Sequence, residues 1–266
     1  MLSSIALFSL LGSALATPVD PVDLFKVFGS SCSTSGAASC HNTTSVDTCC
    51  TEYPGGLLLQ TQFWDTDVAG SPADSWTIHG LWPDNCDGTY KSSCDPSRAY
   101  KDISSLLTAQ NALSTLDFMK KYWLNNAGTS EELWEHEWAK HGTCYSTLEP
   151  SCLPKDSPKG AEAVAFFETT VKLFKSLPTY TWLANADITP STSKTYTLSE
   201  LTAALEKGSG GYTPALGCTS KKLNSISWYY NLKGSLVNGK FVPIDSPQSS
   251  TCPSSGIEYP VRQSSS

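Results

Sequence analysis

Thr129-Ser130-Glu131-Glu132-Leu133-Trp134-Glu135-His136-Glu137-Trp138-Ala139-Lys140-His141-Gly142-Thr143-Cys144 is the most informative stretch of this 266-residue chain. Thr129 to Glu132 reads as a capping box, and Gly142 is placed to end the helix that the box opens. A helix turns about 100° per residue, so His136 stacks under Lys140, Glu137 under His141, and the four form one polar stripe. Trp134 and Trp138 share the i, i+4 relation on an adjoining stripe and anchor the helix in a core. A lone helical histidine is usually a surface or hydrogen-bonded group. Two imidazoles, a carboxylate and an ammonium on one face point instead to catalysis.

A metal centre is one reading of such a stripe. The zinc-protease signature needs histidines at i and i+4 on one face. Here the i+4 position is Lys140, whose ammonium would repel an ion, and His141 at i+5 is rotated away from His136. The sequence therefore predicts no metal and no cofactor, and leaves acid–base chemistry on an anion.

A second constellation is Ser75-Trp76-Thr77-Ile78-His79-Gly80-Leu81-Trp82-Pro83-Asp84-Asn85-Cys86. Alternation puts Trp76 and Ile78 on one face of a short strand, with Thr77 and His79 on the other. Gly80 and Pro83 break that strand, so Leu81 to Asp84 begin a loop. Trp82, Asp84 and Tyr90 then offer aromatic faces and a carboxylate acceptor beside a candidate catalytic histidine, which is what reading an unpaired base requires. Loop packing is the alternative use of Trp82 and Tyr90.

Together the segments from Trp76 to Cys86 and from Glu132 to Cys144 closely resemble the two active-site segments of the ribonuclease T2 family, in the manner of its fungal, secreted members. The resemblance implies an α+β fold: a single disulfide-rich domain with a central antiparallel sheet packed with helices. It also implies metal-independent, base-nonspecific cleavage of single-stranded RNA. The ribose 2′-hydroxyl attacks its own phosphodiester to give a 2′,3′-cyclic phosphate and then a 3′-phosphate, so DNA is not a substrate. By the same resemblance His141 is the general base and His79 the general acid. The residues agree on their own terms. One neutral and one charged imidazole suit groups titrating near pH ~6.5, and Lys140 with protonated His136 can meet the charge gathering on phosphoryl oxygens. Glu137 either orients or charges a neighbouring histidine or, when protonated, donates a hydrogen bond to a phosphoryl oxygen. A carboxylate beside imidazoles is expected to raise their pKa values.

Composition fits a secreted enzyme. Ile5 to Ala16 is a short apolar run ending in Ala14-Leu15-Ala16, which reads as a signal peptide over 1–16 and is too short for a membrane span. Residues 17–266 are enough for one catalytic domain, with a short Ser-rich C-terminal tail. Ten cysteines behind a signal peptide argue for five disulfides. The family resemblance implies Cys32 with Cys50, Cys40 with Cys86, Cys49 with Cys152, Cys94 with Cys144, and Cys218 with Cys252. Asn42-Thr43-Thr44 is a glycosylation sequon. The net charge of −7 disfavours a tight, electrostatic nucleic-acid binder but not a nuclease that needs positive charge only at the scissile phosphate. The expected protein is a monomer acting on RNA away from membranes, outside the cell or in a vacuole or other acidic lumen. A secreted binding or signalling protein on the same scaffold, with incidental catalysis, and a zinc hydrolase are the competing classes.

Coarse patterning predicts a buried strand from Leu57 to Trp64, a helix from Asp102 to Leu124, and another from Ser157-Pro158 to just before Pro178. A capped helix runs from Thr197 to Gly208, a strand spans Ile226 to Tyr230, and a hairpin turns at Asn238-Gly239.

Overall fold

The structure, a computed structural model, describes residues 32–42 and 46–262. The signal-peptide expectation, Thr43 and Thr44 of the sequon, and the last four residues of the Ser-rich tail lie outside the described residues; Asn42 is described and exposed.

The fold is α+β, built on seven strands: β1 (Leu57–Phe63), β2 (Thr77–Asp84), β3 (Thr195–Tyr196), β4 (Ala215–Thr219), β5 (Lys222–Lys233), β6 (Lys240–Ile244) and β7 (Ile257–Glu258). Their order is β2-β1-β5-β7-β3, with β4 and β6 also on β5. Pairing is antiparallel except for one parallel bridge between Lys222 and Glu258. β5 organises the sheet because its 12 residues serve both edges. Ser225 to Tyr230 pair with β1, while Lys222 to Ser227 and Tyr229 to Lys233 pair with β4 and β6.

Period-2 alternation sorts the sheet into two unequal faces. Leu58, Ile78, Leu81, Ile226 and Trp228 turn into the main core. There they meet α3 (Ser130–Lys140) and α4 (Ala161–Lys175) through Trp134, Trp138, Phe166 and Phe167. Full burial of each such side chain contributes roughly 1.5–3 kcal/mol. On the opposite face Leu57, Leu59 and Tyr229 make only a thin cluster, joined by Trp82 and Ile244. That lightly covered face holds the site.

Several elements differ from the sequence reading. The stretch from Asp102 to Leu124 is two helices, α1 (Ile103–Ala109) and α2 (Leu113–Tyr122), because Asn111 takes a left-handed φ of 60° between them. α4 starts after Gly160, whose φ of 84° makes the turn, so Ser157-Pro158 is not its cap. A short α5 (Thr179–Ala184) then leads to α6 (Leu198–Ser209), which has the Thr197–Glu200 capping box but runs through Gly208 and ends at left-handed Gly210. Gly208 is small for another reason: a Cβ there would stand 2.2 Å from Trp182 Cγ. The turn at Asn238-Gly239 belongs to a wider connection, since β6 pairs back to Lys233 and Leu236 is buried rather than in a strand.

Five disulfides join Cys32 to Cys50, Cys40 to Cys86, Cys49 to Cys152, Cys94 to Cys144 and Cys218 to Cys252. Three of them hold the irregular segment before β1. A buried carboxyl reinforces it: Glu52 accepts from Ser146 N–H at 2.7 Å and from the Thr147 hydroxyl at 2.9 Å. Burial outweighs these bonds and pushes Glu52 up to about 7.

Candidate active site

β2 continues through Gly80 and Pro83 to Asp84, where the sequence suggested a loop. Proline is tolerated because β2 is the terminal strand of the sheet, where an absent N–H facing outward costs no ladder bond. The irregularity falls one residue earlier. Thr61 pairs with Gly80 and Gln62 with Ile78, so His79 is the extra residue of a β-bulge. Bulges re-aim side chains. Here His79 packs on Phe63, ring centroids 4.0 Å apart, and its carbonyl accepts from the Trp123 indole at 2.8 Å.

α3 approaches the same strand. Its Thr129–Glu132 capping box is formed in full, and Trp134 and Trp138 are buried, donating to the carbonyls of Trp123 and Arg98. Anchored so, the helix inserts fully buried Glu137 beneath β2. Glu137 Oε2 accepts from the Trp82 indole N–H at 2.7 Å, and Oε1 lies 3.5 Å from His79 Nε2. Gly80 makes this possible, because a Cβ there would meet Glu137 Oε2 at 2.0 Å and Trp82 Nε1 at 2.5 Å.

His141 lies just past the helix as its C-cap, with φ −112°, rather than on a continuing helical stripe. Its ring stacks on Trp82 at 4.8 Å and 22°, while His79 meets Trp82 edge-on at 4.9 Å. The two imidazoles therefore pack on one indole, His141 against its face and His79 edge-on. His136 is exposed, 6.4 Å from the His141 ring. Lys140 is half-buried, and its charge depresses the pKa values of His79, His136 and His141, which puts it within electrostatic reach of all three. Gly142 is also a packing glycine, since its Cβ would stand 2.2 Å from Trp138 Cε3.

Burial dominates the electrostatics. It lowers His79 to about 4 and His141 to about 3, with the neighbouring cations adding to the effect, and it raises Glu137 to about 8. The expectation that a carboxylate raises the imidazoles is thus overturned. Glu137 is itself a neutral acid below pH 8 and has no charge to offer them.

Asp84 shares the open face with Trp82 two residues before it and is buried, which raises it to about 7. Under acid conditions it is a carboxylic acid that both donates and accepts, rather than the pure acceptor expected. Tyr90 stands apart with its side chain 63% exposed. Disulfides Cys40–Cys86 and Cys94–Cys144 tie down the chain beyond each segment. Arg98, buried at 3% exposure, donates to the carbonyls of Thr143 and Leu148 and bonds Glu149 at 2.6 Å, bracing the segment that follows His141.

His136, Glu137 and His141 offer ligand atoms within 4.8 Å of one another, closer than an i+5 relation on a straight helix suggested. Their chemistry fits a cation poorly: metal–nitrogen bonds of about 2.0–2.1 Å need a tighter set, Glu137 is neutral and engaged by Trp82, and Lys140 adds positive charge.

Phe63, Trp123 and Arg98 serve the site without having been singled out in the sequence. Phe63 ends a strand read only as buried, and Trp123 closes a stretch read only as helical. Arg98 showed locally only its pairing with Asp95 at 2.8 Å, because the partners through which it braces the site lie 45 to 51 residues away.

Imidazoles, an ammonium and a neutral carboxyl around one indole, on the open face of a disulfide-braced α+β sheet, are equipment for proton transfer next to an anion. The chain belongs to the Ribonuclease T2 family, whose model matches residues 55–240. It is 61% identical to Ribonuclease Le2 of Lentinula edodes over 86% of this chain and 96% of that one. Against Ribonuclease T2 of Aspergillus oryzae the identity is 50%, over 85% and 82%. The crystal structure of Actibind, a T2 ribonuclease, superposes with a TM-score of 0.84 at 48% identity, covering 88% of this chain and 98% of that one. RNase NT, solved in complex with 5′-AMP, gives a TM-score of 0.56 at 25% identity, covering 77% and 97%. The protein is an endoribonuclease of the ribonuclease T2 type, and RNA is its substrate.

Proposed function

We propose that this chain cleaves single-stranded RNA without a metal and with little base specificity, through attack of the ribose 2′-hydroxyl on the adjacent phosphorus. The observation that carries the reading is the packing of His79 and His141 on the same Trp82 indole, with Lys140 in electrostatic reach of both. His141, the lower of the two pKa values, takes the 2′ proton as the 2′-oxygen–phosphorus bond forms. His79 donates a proton to the 5′-oxygen as its bond to phosphorus breaks. Both imidazoles are neutral in the free enzyme near pH 5. The substrate phosphate supplies the negative charge that favours protonated His79, so charging of the acid is coupled to binding. Lys140 and His136 neutralise the phosphoryl oxygens as charge develops. Neutral Glu137 accepts from the Trp82 indole through Oε2 and can donate its acid proton to a phosphoryl oxygen, or to His79 while that ring is neutral. The reverse use of the pair, with water in place of the 5′-hydroxyl, opens the cyclic phosphate to a 3′-phosphate.

Trp82, Asp84 and Tyr90 form the base site in this reading. A protonated Asp84 donates and accepts at once, which suits a base edge presenting an amine beside a ring nitrogen. Residues 1–16 direct secretion, to the medium or to an acidic lumen. The mature protein, 17–266, acts as a monomer glycosylated at Asn42, with no activity on DNA. Among the described residues no helix is long and apolar enough to cross a membrane.

The test is cleavage of an RNA and a DNA of one sequence near pH 5 in excess EDTA, with the termini identified by mass spectrometry. Cyclic-phosphate or 3′-phosphate ends from RNA alone are expected. Activity abolished by EDTA, or equal cutting of DNA, overturns the mechanism.

A further inference from the structure

Four large apolar side chains stand exposed among the described residues, and two of them, Tyr53 at 61% and Tyr90 at 63%, border one region of surface. Beside Tyr53 lies a groove of about 540 Å³ lined also by Lys91, Ser92, Cys144, Ser146 and Glu149. Lys91 directly follows Tyr90 in the chain, and Cys144 lies three residues past His141. The backbone N–H of Ser93 donates to the Lys140 carbonyl at 2.8 Å, so the groove wall is fastened to the catalytic helix. The groove wall is thus built from the chain segments that directly follow Tyr90 and His141.

Its chemistry is that of a single-stranded nucleic-acid track. Tyr53 is held by its backbone, whose N–H donates to the Ser146 hydroxyl at 3.0 Å, while its ring remains free on the surface. A fixed aromatic face beside a lysine offers stacking for a base and a cation for a phosphate. The acidic group in the wall does not oppose this, because Arg98 engages Glu149 at 2.6 Å. On a chain of net charge −7, a cation next to a free aromatic ring is not the background composition of the surface.

We propose that this groove is an additional nucleotide subsite, in which Tyr53 stacks on a base and Lys91 contacts a phosphate of an RNA strand already held at Trp82, Asp84 and Tyr90. The proposal rests on the cleavage reading above and extends it from a dinucleotide to a longer strand. Tyr53 and Lys91 are positioning groups and touch no reacting atom.

Steady-state cleavage of a dinucleotide and of tetranucleotides extended on either side tests it, with Tyr53→Ala and Lys91→Ala beside the wild type. The wild type should show a KM about tenfold lower for the tetranucleotide extended toward the groove. Tyr53→Ala should raise that KM about five- to tenfold, the low end of what stacking on an exposed ring gives, and leave dinucleotide kcat/KM within about twofold. Lys91→Ala should reduce the slope of log KM against log salt by about 0.7, the value for one phosphate contact on a single strand. No length effect in the wild type, or a full length effect in both variants, overturns the subsite. Failure of the wild type to cut any of these RNAs would instead strike the cleavage reading. In that event, tryptophan-quenching titration with uncleavable 2′-deoxy tetra- and dinucleotides reads the groove independently. Tighter binding of the tetramer, lost in Tyr53→Ala, sustains the proposal, and equal binding overturns it.

Discussion

Replacing Glu137 by glutamine separates two uses of that side chain, and the structure sets the size of each effect. With its pKa raised to about 8 by burial, Glu137 is ionised in only about one molecule in a thousand at pH 5. A glutamine can keep its oxygen on the Trp82 indole, 2.7 Å from Oε2, and turn its amide toward His79, 3.5 Å from Oε1. If the working form is the neutral acid, kcat near pH 5 falls less than about tenfold in Glu137→Gln, and about a hundredfold in Glu137→Ala, which loses both contacts. Stability gives the second readout. The unfolded carboxyl deprotonates near 4.5 and the folded one near 8, so the unfolded state binds fewer protons in between. Stability contributed below pH 4.5 is therefore lost as pH rises toward 8, on the order of 4 kcal/mol for this group. Glu52 and Asp84, both raised to about 7, act in the same direction. The depressed histidines act oppositely, losing stability as pH falls below 6.5. The difference between variant and wild type isolates Glu137: relative to wild type, Glu137→Gln should gain on the order of 10 °C in Tm between pH 5 and pH 8. Differential scanning calorimetry across that range, paired with kcat at pH 5, measures both. A hundredfold loss in Glu137→Gln together with a pH-independent difference in Tm refutes the neutral-acid assignment.

The remaining predictions concern its neighbours. His79→Phe and His141→Phe should each lower kcat by about 10² to 10⁴-fold with an unchanged circular dichroism spectrum, since acid and base each contribute in that range; near-wild-type turnover in either would remove that residue from proton transfer. Gly80→Ala forces a Cβ against Glu137 and the Trp82 indole, and should destabilise by about 1–3 kcal/mol in urea titration while lowering kcat at least tenfold. A wild-type-like variant would show that the bulge is not held tightly. Lys140→Ala should lower kcat more than it raises KM, and should shift the histidine limb of the pH profile upward because the charge that depresses the imidazoles is gone. An effect confined to KM would make Lys140 a docking residue. Asp84→Asn should change relative rates among dinucleotides more than the best rate; an unchanged profile would separate Asp84 from base recognition.

Local signals in this chain were legible where short-range rules dominate. Thr129 with Glu132 and Thr197 with Glu200 formed the capping boxes that their spacing implied, and Trp134 with Trp138 became core anchors because their i, i+4 stripe had to be buried. The errors share a cause. Gly80 and Gly208 were read as punctuation, yet each is a glycine because a tryptophan or a buried carboxyl presses against it; Gly142 does follow the helix end as expected, and packs on Trp138 as well. Pro83 was read as a strand breaker, which holds for a central strand, whereas β2 is terminal.

The sequence by itself determined the candidates for the reacting groups, because residue type and spacing within two short segments suffice to single out imidazoles, an ammonium and a carboxyl. It also determined the α+β class and the number of cysteines available for pairing. Only the tertiary structure decided their protonation and their relative placement. The bulge that turns His79 toward Phe63, the burial that keeps Glu137 neutral, and the indole that both histidines touch all arise where β2 meets α3. Desolvation and contact between segments some fifty residues apart are properties of that meeting, and neither segment carries them alone.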